Sequence, residues 1–153
     1  LGTQPSNPRD VAFIPVNLVR QADDVSRTVS PAVTLMNRPL TTTLTILPNV
    51  TPVAMAYVIT ETIPAGLAVT NVNVTSGLFT QTNDYLRWEV SVPRLGAQAA
   101  MLTYQATADL AACNTTLTGT LSNTTDAIGA LPASKTWSLP IICYQIHMPA
   151  VIR

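Results

Sequence analysis

Lysine occurs once in this chain of 153 residues, at Lys135, histidine occurs once, at His147, and charged residues together make up only 10%. The formal net charge is zero. A surface this poor in cations leaves no electrostatic footprint for nucleic acid or an anionic membrane. A lone histidine excludes, within one chain, both a histidine-based catalytic triad and a multi-histidine metal site. Flanked by Ile146, Met148 and Pro149, His147 reads as a polar residue of an edge strand. The GxSxG elbow, the P-loop, GxGxxG and paired CxxC motifs are all missing. No apolar run approaches the roughly 18 residues of a membrane helix. Helical periodicity never outlasts one turn, and no internal repeat of roughly 20–50 residues is visible. These absences predict a protein that is not an enzyme and needs no cofactor or metal.

Two carboxylates set about 5–10 Å apart would suffice for glycoside hydrolysis, so the acids need a separate check. Glu61 and Glu89 are the strand-borne candidates. Glu89 alternates with Trp88 and is expected to face solvent, and Glu61, beside a turn, is expected on the surface as well. Asp23-Asp24 and Asn83-Asp84 read as solvated loop charges, since neither belongs to a loop of regularly spaced calcium ligands. Lys135, just before Trp137, reads as a solvated loop residue.

What the chain has in quantity is apolar and β-branched residues. Hydrophobic residues make up 47% and the mean hydropathy is +0.29. That surplus is spread over short runs, and part of it is expected to be buried between subunits. In the stretch 60–106, Val72 and Val74 alternate with Asn71 and Asn73. Leu86, Trp88, Val90 and Val92 alternate with Arg87, Glu89 and Ser91, and Ala100, Leu102, Tyr104 and Ala106 alternate with Met101, Thr103 and Gln105. A period of two marks strands with one wet and one dry face. Pro64 and Gly66 mark a turn, Pro64 at its second position, and residues 93–96 mark another. Earlier in the chain, 31–37 and 40–48 read as strands, with threonine suiting the watered face. Residues 53–62 are apolar enough to be covered on both faces. Later, 113–121 alternates, and 136–153 ends the chain as an edge strand marked by Pro140 and Pro149. Eight or nine short strands with turns about every ten residues predict an all-β sandwich in one domain.

The central residues resemble a known family. The order of a strand, Ile63-Pro64-Ala65-Gly66-Leu67, a valine-rich strand, Trp88, Leu95-Gly96-Ala97 and Leu102-Thr103-Tyr104 is similar to the conserved-repeat domain of unknown function number eleven, over about residues 40–125. That resemblance implies an immunoglobulin-like two-sheet β-sandwich and an address on the surface of a bacterial or archaeal cell.

The amino-terminal part differs in character. Residues 1–9 form an irregular arm, and 10–20 hold a candidate strand bearing Val11, Phe13, Ile14, Val16 and Leu18, restricted to an edge by Pro15. The polar passage 21–30 reads as a connector, so the expected organisation is an arm over 1–30 and a sandwich over 31–153. Leu1 is not an initiator methionine, and the expectation is a mature chain freed of its signal peptide. Cys113 and Cys143 are an even count in a composition that suits an oxidising exterior. They either form a disulfide or act as two small buried hydrophobes. The alternation places both on inward faces, as an intersheet bridge requires. Four Asn-x-Thr sequons occur, and Asn73, Asn114 and Asn123 are candidate acceptors of covalent glycans in a secreted chain.

Two functions follow as expectations. In the first, the chain is a structural subunit of an extracellular, pilus-like filament, a homopolymer in which 10–20 adds a strand to the open sheet of a neighbouring copy. In that case 10–20 would not be the first strand of its own sheet. In the second, the chain is an immunoglobulin-like adhesin or carbohydrate-binding module of a larger cell-surface protein, with Phe79 and Tyr85 as exposed aromatics.

Overall fold

The computed structural model describes residues 25–50, 52–96, 98–126 and 130–143. The candidate donor strand, with Val11, Phe13, Ile14, Val16 and Leu18, lies outside the described residues, as does His147. Among the described residues ten strands run in chain order: β1 Val25–Ser30, β2 Thr34–Leu35, β3 Pro39–Ile46, β4 Met55–Thr62, β5 Leu67–Val74, β6 Leu78–Gln81, β7 Tyr85–Val92, β8 Ala100–Ala108, β9 Thr116–Thr125 and β10 Ala133–Ile142. A one-turn 3-10 helix, Leu110–Ala112, joins β8 to β9.

The strands form two sheets. One has four strands in the order β1-β3-β8-β5, the other six in the order β2-β10-β9-β4-β7-β6. All pairings are antiparallel except β10 with β2. The protein is therefore the two-sheet, immunoglobulin-like sandwich expected. The inner rows are those that alternation identified: Leu86, Trp88, Val90 and Val92 from β7, and Ala100, Leu102, Tyr104 and Ala106 from β8, all buried. Each large apolar side chain so buried contributes about 1.5–3 kcal/mol.

Several expectations need correcting. Residues 25–30 are not connector but strand: Val25, Arg27 and Val29 alternate with Ser26, Thr28 and Ser30, and the run pairs with β3 from Val25 opposite Ile46 to Ser30 opposite Thr41. The sandwich thus starts at least six residues earlier than 31. β4 is central in its sheet but dry on one face only: Met55, Tyr57, Ile59 and Glu61 are buried, while Ala56 and Thr62 are exposed. The turn after β4 spans 64–67, closed by Leu67 N–H donating to Pro64 O at 3.2 Å. Pro64 therefore stands first, and Gly66, at φ +88°, third, where a positive φ is required. An edge strand, β6, was not foreseen.

The disulfide Cys113–Cys143 is present, with Cα atoms 5.5 Å apart, but its place differs from expectation. β9 begins only at Thr116, so Cys113 sits in the crossover from β8, half-buried, and Cys143 lies just past β10. β9 and β10 are neighbours in one sheet. The bridge therefore staples the end of the sandwich and does not tie sheet to sheet through the core.

Candidate functional site: a cleft between two strand edges

Among the described residues β1 is the outer strand of the four-stranded sheet, with β3 on one side only. Diagonally across from it, β2 covers β10 only at Ile141 and Ile142. Along 136–140, β10 has no strand neighbour on that side among the described residues. Between these two edges the sandwich opens into a cleft of about 320 Å³, lined by Val25, Ser26 and Arg27 of β1, Leu121 of β9, and Lys135, Thr136 and Trp137 of β10.

The floor of the cleft is built on a charged group that burial isolates. Strict alternation carries Glu61 inward behind Tyr57 and Ile59, and its side chain is 0% exposed. An ionised carboxylate so placed must be paired. Arg27 reaches across from β1, its Nε donating to Glu61 Oε1 at 2.7 Å. Tyr104 of β8 donates its hydroxyl to the same oxygen at 2.8 Å. Arg27 Nη2 also approaches Tyr104 Oη at 3.4 Å. The guanidinium lies over the Trp137 ring, 4.0 Å from its centroid, a cation–π contact. The other sheet thus delivers both of Glu61's partners, so the cluster is an intersheet tie.

Burial raises the Glu61 carboxyl above its ordinary range, against the pull of the Arg27 charge and of the bonds from Arg27 and Tyr104. Burial, and after it the Glu61 charge, pushes the Tyr104 hydroxyl upward. Among the described residues three buried polar atoms, Thr42 Oγ1, Glu61 Oε2 and Trp137 Nε1, have no hydrogen-bond partner, and the last two belong to this cluster. Trp88, by contrast, donates its Nε1–H to Ser76 O at 2.9 Å. The indole of Trp137 rests on Gly119, directly opposite it in β9. A Cβ at Gly119 would stand 2.6 Å from Trp137 Cε2 and 2.8 Å from Thr62 O. Only a residue without a side chain lets the ring lie flat there.

The structure separates the candidate carboxylates: Glu61 is buried, contrary to the surface position expected, and Glu89 is exposed on the outer face, paired with Arg87 at 2.8 Å. Lys135 lies on β10 and not in a loop, exposed, its Nζ donating to Val25 O at 3.4 Å across the cleft. Asn73 and Asn114 are exposed. Asn73 Nδ2 donates to Asn71 O, and Asn114 Oδ1 accepts from Cys143 N–H. Asn123 is a different case. Its side chain points inward with Leu121 and it is only 3% exposed, so the folded chain offers no room for a glycan there. Phe79 and Tyr85 are partly exposed, on strands β6 and β7 and not on loops.

Sequence reasoning passes over Arg27 and places Glu61 on the surface. The signal was there: Val25-x-Arg27-x-Val29 and Tyr57-x-Ile59-x-Glu61 each place one charge in an otherwise dry row.

No family model matches the chain, and no curated protein matches it in sequence. Solved structures do. A collagen-binding domain from a Staphylococcus aureus adhesin superposes with a TM-score of 0.51 at 12% identity, covering 76% of this chain and 97% of that one. A protein described as AvmM, which catalyses macrocyclization in alchivemycin A biosynthesis, superposes at 0.43 with 7% identity, over 80% of this chain and 92% of its own. The first likeness fixes the architecture: this chain has the sandwich fold of a bacterial adhesin domain.

Proposed function

We propose that this chain is a non-catalytic adhesive module of an extracellular surface protein, and that it binds an extended segment of a partner polypeptide in the cleft between β1 and β10. One observation carries the reading: the β10 edge along 136–140 borders a cleft holding an indole, a stacked guanidinium and an unsatisfied indole N–H. Strand addition uses such a place, since backbone groups of the edge supply affinity while a neighbouring pocket takes alternate side chains. The adhesin-like fold, the disulfide and the resemblance of 40–125 to a surface-protein repeat support the extracellular address. The collagen specificity of the staphylococcal domain is not carried over, because 12% identity speaks only for the fold.

A second reading is favoured by one feature of the sequence. The run 10–20, with Val11, Phe13, Ile14, Val16 and Leu18, precedes β1 by a few polar residues, and in a neighbouring copy it would fit the same cleft as a donated strand. The chain would then be the subunit of a filament. A fluorescent peptide of residues 10–20 and several extended peptides of unrelated sequence, titrated against the full chain and its Trp137→Ala variant, separate these readings. The adhesive module binds unrelated apolar-alternating peptides, the filament subunit binds its own segment alone and forms fibres in negative stain, and both lose binding with Trp137→Ala. Binding that survives Trp137→Ala, or no binding of any peptide, overturns the assignment of the cleft.

A further inference from the structure

Of the residues that line the cleft, Arg27 and Lys135 are cationic and none is acidic. Lys135 stands at the mouth, its Nζ donating to Val25 O. Arg27 lies in the floor with its side chain 9% exposed, and its only acidic partner among the described residues is Glu61, buried beneath it and absent from the lining. A guanidinium carries five N–H groups. Nε spends its own on Glu61 Oε1, and Nη2 reaches Tyr104 Oη at 3.4 Å. Among the described residues Nη1 donates to nothing. The fold therefore holds Arg27 through Nε and leaves the terminal fork for a ligand, the geometry that takes a carboxylate through two bonds.

The charge that this fork presents depends on Glu61. Both bonds that Glu61 receives end on Oε1, while Oε2 is buried without a partner. A buried carboxylate with one oxygen unpaired is poorly compensated, so it favours the protonated form, in line with the upward shift that burial gives it. Among the described residues, the titratable groups facing it are Arg27 of β1 and Tyr104 of β8. Its neighbours in the flanking strands, Leu86 of β7 and Leu121 of β9, carry no charge. A proton on Oε2 cancels the negative charge and leaves Oε1 to accept from Nε and from the Tyr104 hydroxyl as before.

We propose that the segment bound in the cleft carries a carboxylate side chain that docks on the Nη1 and Nη2 groups of Arg27, and that protonation of Glu61 turns this docking on. This rests on the reading of the cleft as a site for an extended peptide. With Glu61 ionised, the Arg27–Glu61 pair is neutral and an incoming carboxylate meets a cation already compensated, with a like charge behind it. With Glu61 protonated, the guanidinium has no counter-ion and the ligand supplies one. Binding near the midpoint of Glu61 therefore takes up a proton from solvent, which settles on the Glu61 carboxyl. An aspartate in an extended peptide titrates near about 3.9, below the raised Glu61, so the ligand keeps its charge while Glu61 loses its own. Lys135 is common to both states and contributes no switch.

Two short fluorescent peptides of alternating valine and threonine, one with a central aspartate and the other with asparagine in its place, test this when titrated against the full chain from about pH 8 to about pH 4.5. The aspartate peptide should tighten about tenfold as pH falls, and the asparagine peptide should bind alike throughout. Glu61→Gln, which holds the neutral form at every pH, should bind the aspartate peptide with the low-pH affinity across the range. Calorimetry of wild type in two buffers of unlike ionisation heat should show proton uptake with the aspartate peptide and none with asparagine, and this readout serves if Glu61→Gln is misfolded. Peptides that share one pH profile while both are weakened by Trp137→Ala would leave the cleft standing and overturn the proposal. Aspartate binding that still follows pH in a folded Glu61→Gln variant, or calorimetry without proton uptake, would overturn it as well. Binding of neither peptide at any pH would overturn the cleft and the switch together.

Discussion

Replacing Gly119 by alanine probes the cleft through one added methyl. The glycine is not in the left-handed region, so its backbone accepts alanine, and lower unfolded-state entropy would by itself stabilise the variant by about 0.4–1 kcal/mol. Sterics act the other way. The new Cβ would stand 2.6 Å from Trp137 Cε2 on one side and 2.8 Å from Thr62 O on the other, and the carbonyl belongs to the paired β4 ladder. The indole must therefore tilt. Overpacking of this kind costs about 1–3 kcal/mol. A tilted ring also loses the Arg27 guanidinium 4.0 Å from its centroid, a contact worth about 0.5–1 kcal/mol. The net expectation is a loss of about 1–3 kcal/mol, or a fall in Tm of roughly 2–12 °C at about 2–4 °C per kcal/mol for a domain of this size. Thermal melts followed by circular dichroism measure it. In a Trp137→Leu background the same substitution should cost clearly less, because the flat ring is gone. A Gly119→Ala variant as stable as wild type, or one whose cost is unchanged in that background, would refute the packing argument.

Further outcomes follow from the buried ion pair, the bridge and the sequons. Because burial raises Glu61, the folded chain holds that proton more tightly than the unfolded one, where glutamate titrates near about 4.3. The stability linked to it is therefore present below about pH 4 and lost as pH rises through the folded value. Denaturant melts from pH 4 to 8 should show a flatter profile for Glu61→Gln, and equal slopes would contradict the assignment. Opening the Cys113–Cys143 bridge, which closes a separation of 30 residues, should cost about 3.6 kcal/mol, seen as a fall in Tm of roughly 7–14 °C on reduction. A shift under about 2 °C, against that scale, would show that the staple constrains little. Mass spectrometry of native material should find Asn123 bare, and a glycan there would mean that β9 is not packed as described.

The body of the fold was legible because its strands obey a period of two: the rows of β7 and β8 could be read residue by residue. What could not be read arose from pairing across distance. Arg27 lies in a passage whose polarity suggests a connector, and only β3 and Glu61, 34 positions away, make it strand and ion-pair partner. The turn beside Glu61 suggests a surface position, although its register with Tyr57 and Ile59 points inward. Position along the strand outweighed residue type there, because Arg27 and Tyr104 supply the partners. Alternation puts both cysteines on strands and they do pair, but the bridge lies outside the strands, since β9 starts three residues after Cys113 and β10 ends one residue before Cys143. The cleft itself was invisible, because an exposed strand edge depends on where β2 stops covering β10.

Amide hydrogen exchange of the full chain, read residue by residue along β10 with and without a bound extended peptide, tests most directly whether the cleft accepts a strand. The account expects new protection confined to 136–140 and the facing residues of β1, absent in Trp137→Ala. Protection appearing elsewhere, on β5 or β6 for example, or none along β10 at saturating peptide, would contradict it.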